Sequence, residues 1–149
     1  MILRSAAGLG MDAVLLDPTC SDPLYRRTSR VAMGEGYAFP WAWIPRLPGG
    51  LDVLRAHGFR LVALTPDGGA VPLDQLALNG VDDRGADGRG VDRVALLLGA
   101  EGPGLSTGTL AAADVLAGIP MRGGVDSLNV GVAAGIAFWL LGRADPRRV

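Results

Sequence analysis

Leu96-Leu97-Leu98-Gly99-Ala100-Glu101-Gly102-Pro103-Gly104-Leu105-Ser106 reads as a buried strand running into a glycine-rich turn. The apolar run Val94 to Leu98 has no polar alternation, as expected of a strand covered on both faces of a parallel sheet. Downstream, Ile119-Pro120-Met121-Arg122-Gly123-Gly124-Val125-Asp126-Ser127-Leu128-Asn129-Val130 reads as a strand end, a polar loop and a helix start. Each stretch puts main-chain amides and small side chains where a strand stops. In open α/β sheets that is where ligands bind. The chain has two such loops and little else that could do chemistry.

Outward from these loops, strands alternate with helices. Leu3 to Gly10 reads as a helix, Ala13 to Leu16 as a buried strand, and Asp22-Pro23 as the start of a helix running to about Met33. Tyr37 to Ile44 is aromatic-rich and extended. Leu51 to His57 is a helix stopped by Gly58, and Phe59 to Leu64 is a strand ending in the turn Thr65-Pro66-Asp67-Gly68. Residues 79 to 92 are polar and glycine-rich, a surface loop. Ser106 caps a helix to Ala113, Val115 to Ile119 is a strand, and Ser127 to Leu141 is a closely packing final helix. The order predicts an α/β fold, a parallel sheet with flanking helices. Physical rules alone favour an open, unknotted, flavodoxin-like wrap.

The composition sets bounds. A chain of 149 residues, 49% hydrophobic with 23 glycines, suits one domain with a real core. No apolar run reaches the ~18 residues of a membrane helix, and the start lacks the pattern of a secretory signal. One cysteine, Cys20, excludes an internal disulfide, and one histidine beside it leaves too few ligands for structural zinc. No metal and no membrane are therefore expected, and the setting is a reducing cytoplasm. The net charge of −1 argues against strong nonspecific RNA binding, although all 14 cationic residues are arginines.

Three ordered motifs resemble one family. Leu-Gly-x-Glu-Gly-x-Gly-Leu from Leu98, Ile-Pro-Met…Ser-Leu-Asn-Val from Ile119, and Arg4-Ser5-Ala6-Ala7-Gly8-Leu9-Gly10-Met11-Asp12-Ala13-Val14 match the SpoU/TrmH branch of the SPOUT RNA methyltransferases. The resemblance covers essentially the whole chain. It implies an α/β knot, with a deep C-terminal trefoil. It implies a homodimer that transfers a methyl group from S-adenosyl-L-methionine to a ribose 2′-hydroxyl of tRNA or rRNA. The positions it implies for the cofactor are Leu98, Gly99, Glu101, Gly102, Ile119, Pro120, Met121, Ser127 and Leu128, with Leu64 and Thr65 in a third loop. Those it implies for the reaction are Arg4, Glu101, Ser127 and Asn129. The family's first motif also has Asn-x-Gly and a strand ahead of the arginine. This chain starts at Met1-Ile2-Leu3-Arg4, so either the natural start lies upstream or this is a shortened form, and the expectation is a single domain over 1–149 that is truncated relative to the family.

Each candidate also has a plainer reading. The glycines Gly99, Gly102 and Gly104 either admit a cofactor to the main chain or shape a turn. Ile119 to Met121 is either an apolar wall for an adenine or an ordinary strand end. Ser127 suits a helix cap, which leaves Asn129 unexplained, because asparagine is a poor interior helix residue. Glu101 either orients Arg4 or another arginine, or sits at a helix N-terminus. Arg4 either clamps a phosphate or is a surface arginine. Arg26, Arg27 and Arg30 form either an RNA-facing cluster or a solvated helix face. His57 reads as a helix terminus; Cys20 and Tyr25 read as structural. The rivals from other classes are a noncatalytic RNA- or cofactor-binding module, and a different nucleotide-using enzyme. A P-loop and a complete Gly-x-Gly-x-x-Gly are both missing, which counts against the second.

Overall fold

A strand fully covered by apolar neighbours must give every main-chain amide a partner, and Arg60–Leu64 meets that demand by lying between two others. The computed structural model describes residues 2–23, 39–78 and 93–142. In chain order the elements are α1 (Ile2–Gly8), β1 (Val14–Leu16), β2 (Trp41–Trp43), α2 (Leu51–Ala56), β3 (Arg60–Leu64) and β4 (Val71–Pro72). They continue with α3 (Leu73–Leu78), β5 (Val94–Leu97), α4 (Thr107–Ala112), β6 (Val115–Gly118) and α5 (Val130–Leu141). The chain divides into two compact units, Leu47–Val130 and Met1–Arg46 with Gly131–Val149.

In the unit Leu47–Val130, four strands lie in the order β4-β6-β3-β5 and every pairing is parallel. Leu61, Val62 and Ala63 at its centre are fully buried. Leu61 and Ala63 share a core with Leu51 and Leu54 of α2 and Leu97 of β5, and Leu105, Leu110, Ala112 and Ala113 pack against it. That explains the uninterrupted apolar run in β3. The edge strand β4 ends in Pro72, a residue a sheet tolerates only where one side of the strand needs no partner. Neither β4 nor α3 was expected from sequence. Two residues and six residues are too short to show a period.

Asp114 extends the ladder ahead of β6. Its main-chain N–H donates to the Leu61 carbonyl at 2.9 Å, and its carboxylate accepts from the Leu61 N–H at 2.7 Å. Arg55 of α2 stands 3.7 Å from the same carboxylate and donates to the Ala112 carbonyl. Asp114→Ala would strip the buried Leu61 amide of its acceptor, so a loss of ~1–3 kcal/mol is expected. Urea unfolding measures it; an unchanged midpoint would show that water takes over the bond.

In the other unit, β1 and β2 pair in parallel, with Val14 opposite Trp41 and Leu16 opposite Trp43. Leu3 and Ala6 form the buried side of α1. On α5, Gly131, Ala134, Ala137 and Phe138 are buried, a helical stripe of mainly small residues. Most of the expected helix from residue 22 to 33, with Tyr25, Arg26, Arg27 and Arg30, lies outside the described residues. So does the expected loop 79–92.

Candidate functional site

The parallel registers place three loops at one end of one sheet. Ala63 is level with Leu97, and Leu64 is level with Ala117. The chain therefore leaves β3, β5 and β6 at the same carboxyl edge, the side on which open α/β sheets hold ligands. The segments that leave there are 65–70, 98–106 and 119–129; the last two carry the motifs that begin at Leu98 and Ile119, and the first is the third loop that holds Thr65.

The first loop is tied to the third strand, because the Thr65 N–H donates to the Ala117 carbonyl at 2.9 Å. Its turn is held by Asp67, whose carboxylate accepts from the Gly69 N–H at 3.1 Å. The turn is legible in the sequence, and Asp67 is the residue that holds it. The Thr-Pro-Asp-Gly pattern carries the signal, since an aspartate side chain bonds the main chain two residues on.

The second loop folds back on itself. The Gly104 N–H donates to the Ala100 carbonyl at 3.0 Å, and the two residues bridge as a short antiparallel pair. Gly102 and Gly104 take φ of 87° and 66°, which only glycine adopts without cost. Gly99 is needed for another reason. A Cβ there would lie 2.7 Å from the Gly104 Cα and 2.5 Å from the Leu105 nitrogen. The plainer reading of Gly99, a glycine that shapes its turn, thus has a physical basis in the close return of the loop on itself. Ser106 is the expected cap, accepting from the Thr109 N–H at 3.2 Å ahead of α4. Glu101, by contrast, lies within the turn and not at a helix start, so the helix-terminus reading of it fails.

The third loop corrects the start of the final helix. Residues 119–129 form no regular structure, and α5 begins at Val130 rather than Ser127. Gly123 and Gly124 take φ of 70° and 73°, a backbone that cannot run on as a helix. Ser127 is therefore no cap and stands exposed in the loop. Asn129 directly precedes the helix, so its poor interior propensity is never tested. Its side chain is engaged elsewhere: Nδ2 donates to Glu101 Oε1. Two motif residues 28 positions apart thus meet, a pairing that spacing alone could not show.

Leu64, Leu98, Ile119, Met121 and Leu128 are half-buried around these loops, while Pro120 and Glu101 are exposed. Arg4 is exposed on α1, in the other unit. His57 closes α2, its Nδ1–H donating to the Val53 carbonyl at 2.8 Å, as its place before Gly58 predicts. Cys20 is exposed in the turn after β1 rather than packed in a core. Partial desolvation and the charge of Asp17 raise its thiol pKa, so it is a poor nucleophile at neutral pH. Among the described residues no cluster of His, Cys, Asp or Glu is arranged to hold a metal ion, and no helix is long and apolar enough to cross a membrane.

Residues 1–139 match the model of the SpoU rRNA Methylase family. The chain belongs to that family. It is 46% identical over 138 residues to an uncharacterized tRNA/rRNA methyltransferase of Mycobacterium tuberculosis, covering 93% of this chain and 45% of that one. It is 31% identical over 138 residues to the 23S rRNA (guanosine-2'-O-)-methyltransferase of Acinetobacter baylyi, covering 92% and 51%. The chain thus spans about half the length of the curated relatives it matches. Among solved structures, the AdoMet-bound rRNA methyltransferase of Sinorhizobium meliloti superposes with a TM-score of 0.77 at 30% identity, over 94% of this chain and 49% of that one. The α/β architecture with parallel strands is that of these SpoU neighbours.

Proposed function

We propose that this SpoU chain carries an S-adenosyl-L-methionine-dependent methyltransferase activity directed at a ribose 2′-hydroxyl of tRNA or rRNA. The observation that carries the reading is the meeting of the family's second and third motifs at the carboxyl edge of the sheet, through Asn129 and Glu101. The names of the relatives support RNA as substrate, and the AdoMet-bound neighbour supports the cofactor.

Bound S-adenosylmethionine supplies an electrophilic methyl group. Leu98, Gly99, Glu101 and Gly102 form one wall of its site, and Ile119, Pro120, Met121, Ser127 and Leu128 form another. Leu64 and Thr65 close the third side. Ser127 and Asn129 face the reacting hydroxyl, and Arg4 clamps an RNA phosphate and orients that hydroxyl. The reading includes the family's deep trefoil knot, a place in the cytoplasm beside its RNA, and a homodimer. Exposed Val132, Trp139 and Leu140 on α5 support the dimer, since large apolar side chains left in water mark a contact face.

The test is calorimetry with S-adenosylmethionine and S-adenosylhomocysteine, followed by transfer of labelled methyl groups to tRNA and rRNA. The expected result is one site per chain, 2′-O-methylated nucleosides on digestion, and twice the chain mass by light scattering. Binding without transfer would favour a noncatalytic binding module. A protein that binds neither compound at millimolar concentration would remove the proposal's footing, and a clean monomer would remove the dimer.

A further inference from the structure

We propose that Arg122 holds a phosphate of the RNA substrate beside the ribose that receives the methyl group. This rests on the methyltransferase reading above and adds a contact on the RNA side of the site. Arg122 stands exposed on the loop 119–129, between Met121 and the left-handed pair Gly123 and Gly124. That loop leaves β6 at the carboxyl edge of the sheet.

Charge singles this residue out. The loops 65–70, 98–106 and 119–129 carry three carboxylates, Asp67, Glu101 and Asp126, and one cation, Arg122. An edge with that balance repels a polyanion, so a phosphate brought there gains most at Arg122. The unit's other described arginines lie at the amino end of the sheet. Arg55 stands beside Asp52 and Asp114, Arg93 donates to the His57 carbonyl, and Arg60 opens β3. Arg122 has no such task, since no carboxylate of a described residue pairs with it. Asp67 is engaged by the Gly69 N–H and Glu101 by Asn129.

An arginine left in water at a ligand-bearing edge keeps its donors for the ligand, and its planar fork matches a pair of phosphate oxygens. Arg122 follows Pro120 and Met121, which wall the cofactor in the proposed site. The phosphates within its reach are therefore those that flank the target ribose. Contacts of this kind set the register of the nucleic acid and carry no base preference.

The experiment measures binding of the full chain to in vitro transcribed tRNA and 23S rRNA by filter retention, across a salt series with S-adenosylhomocysteine present. R122Q should weaken RNA binding by about tenfold. It should also flatten the slope of log affinity against log salt by about one. R122K keeps the charge and should keep the slope, while losing about threefold in affinity with the fork. Calorimetry with S-adenosylhomocysteine should give wild-type affinity in both variants. Thermal melts should give the wild-type midpoint, because Arg122 is exposed.

Unchanged slope and RNA affinity in R122Q overturn the proposal. So does an equal loss of S-adenosylhomocysteine affinity, which would put the arginine on the amino-acid carboxylate of the cofactor. A flattened slope in R122Q, beside a wild type that binds RNA but methylates none, would count against the methyltransferase reading and not against the contact. Methylation by wild type, beside an R122Q slope like its own, would do the reverse. A wild type without affinity for either RNA removes both.

Discussion

Replacing Arg4 with alanine is expected to lower methyl transfer by about a hundredfold or more, while affinity for S-adenosylhomocysteine stays close to wild type. Arg4 is exposed on α1, and the residues that anchor that helix are Leu3 and Ala6, so the substitution spares the packing. The proposed cofactor walls all lie in the other unit. Arg4→Lys should fail almost as badly, because an ammonium does not reproduce the planar fork that grips a phosphate and aligns a hydroxyl together. Turnover on RNA and calorimetry with S-adenosylhomocysteine separate the two effects. Wild-type turnover in Arg4→Ala would end the assignment of the arginine. Equal losses in turnover and affinity would instead put α1 in support of the cofactor.

Gly99→Val is expected to abolish cofactor binding and to lower stability as well. Its Cβ would be forced to within 2.7 Å of the Gly104 Cα, and the branched methyls would push further into the Gly104–Leu105 main chain. Overpacking of this kind costs ~1–3 kcal/mol where the neighbours can shift. Here the neighbours are main chain, so the turn must open. Gly102→Ala is the informative contrast. It costs ~1–2 kcal/mol for the left-handed backbone, but its Cβ meets no atom within 4 Å. The expected order is therefore a severe loss of binding for Gly99→Val and a mild one for Gly102→Ala, read by calorimetry beside thermal melts. Wild-type affinity in Gly99→Val would show that this turn does not shape the cofactor site.

The elements that could be read from sequence are those whose signal is local. The apolar run at Val94 to Leu98, the Ser106 cap, and His57 before Gly58 each depend on neighbours a few residues away, and each element stands where expected, although β5 is an edge strand of the described sheet with only Leu97 buried and not the fully covered strand the run suggests. The loop at Ile119 to Asn129 was legible as a ligand-facing segment but not in shape. Ser127 looks like a cap because serine caps helices, yet the helix begins only at Val130, and Asn129 just ahead of it is tied to Glu101 of another loop. That tie crosses between loops, and single-chain spacing carries no record of it. Gly99 shows the same limit. A sequence reports that a side chain is missing, while the reason lies in the return of Gly104 and Leu105.

The parallel sheet of Leu47–Val130 has a second end with a different vocation. There Arg93 donates to the His57 carbonyl at 3.0 Å and lies 6.0 Å from the centre of the Phe59 ring, while Asp114 and Arg55 tie β6 and α2 to the start of β3. Every one of the three loops leaves from the opposite edge. Directed evolution of this chain can therefore be run as two separate libraries. One would randomise 98–106 and 119–129 and be screened for altered ligand binding. The other would vary the amino-end contacts around Arg93 and Asp114 and be screened for heat tolerance, and gains from the two should combine with little interference.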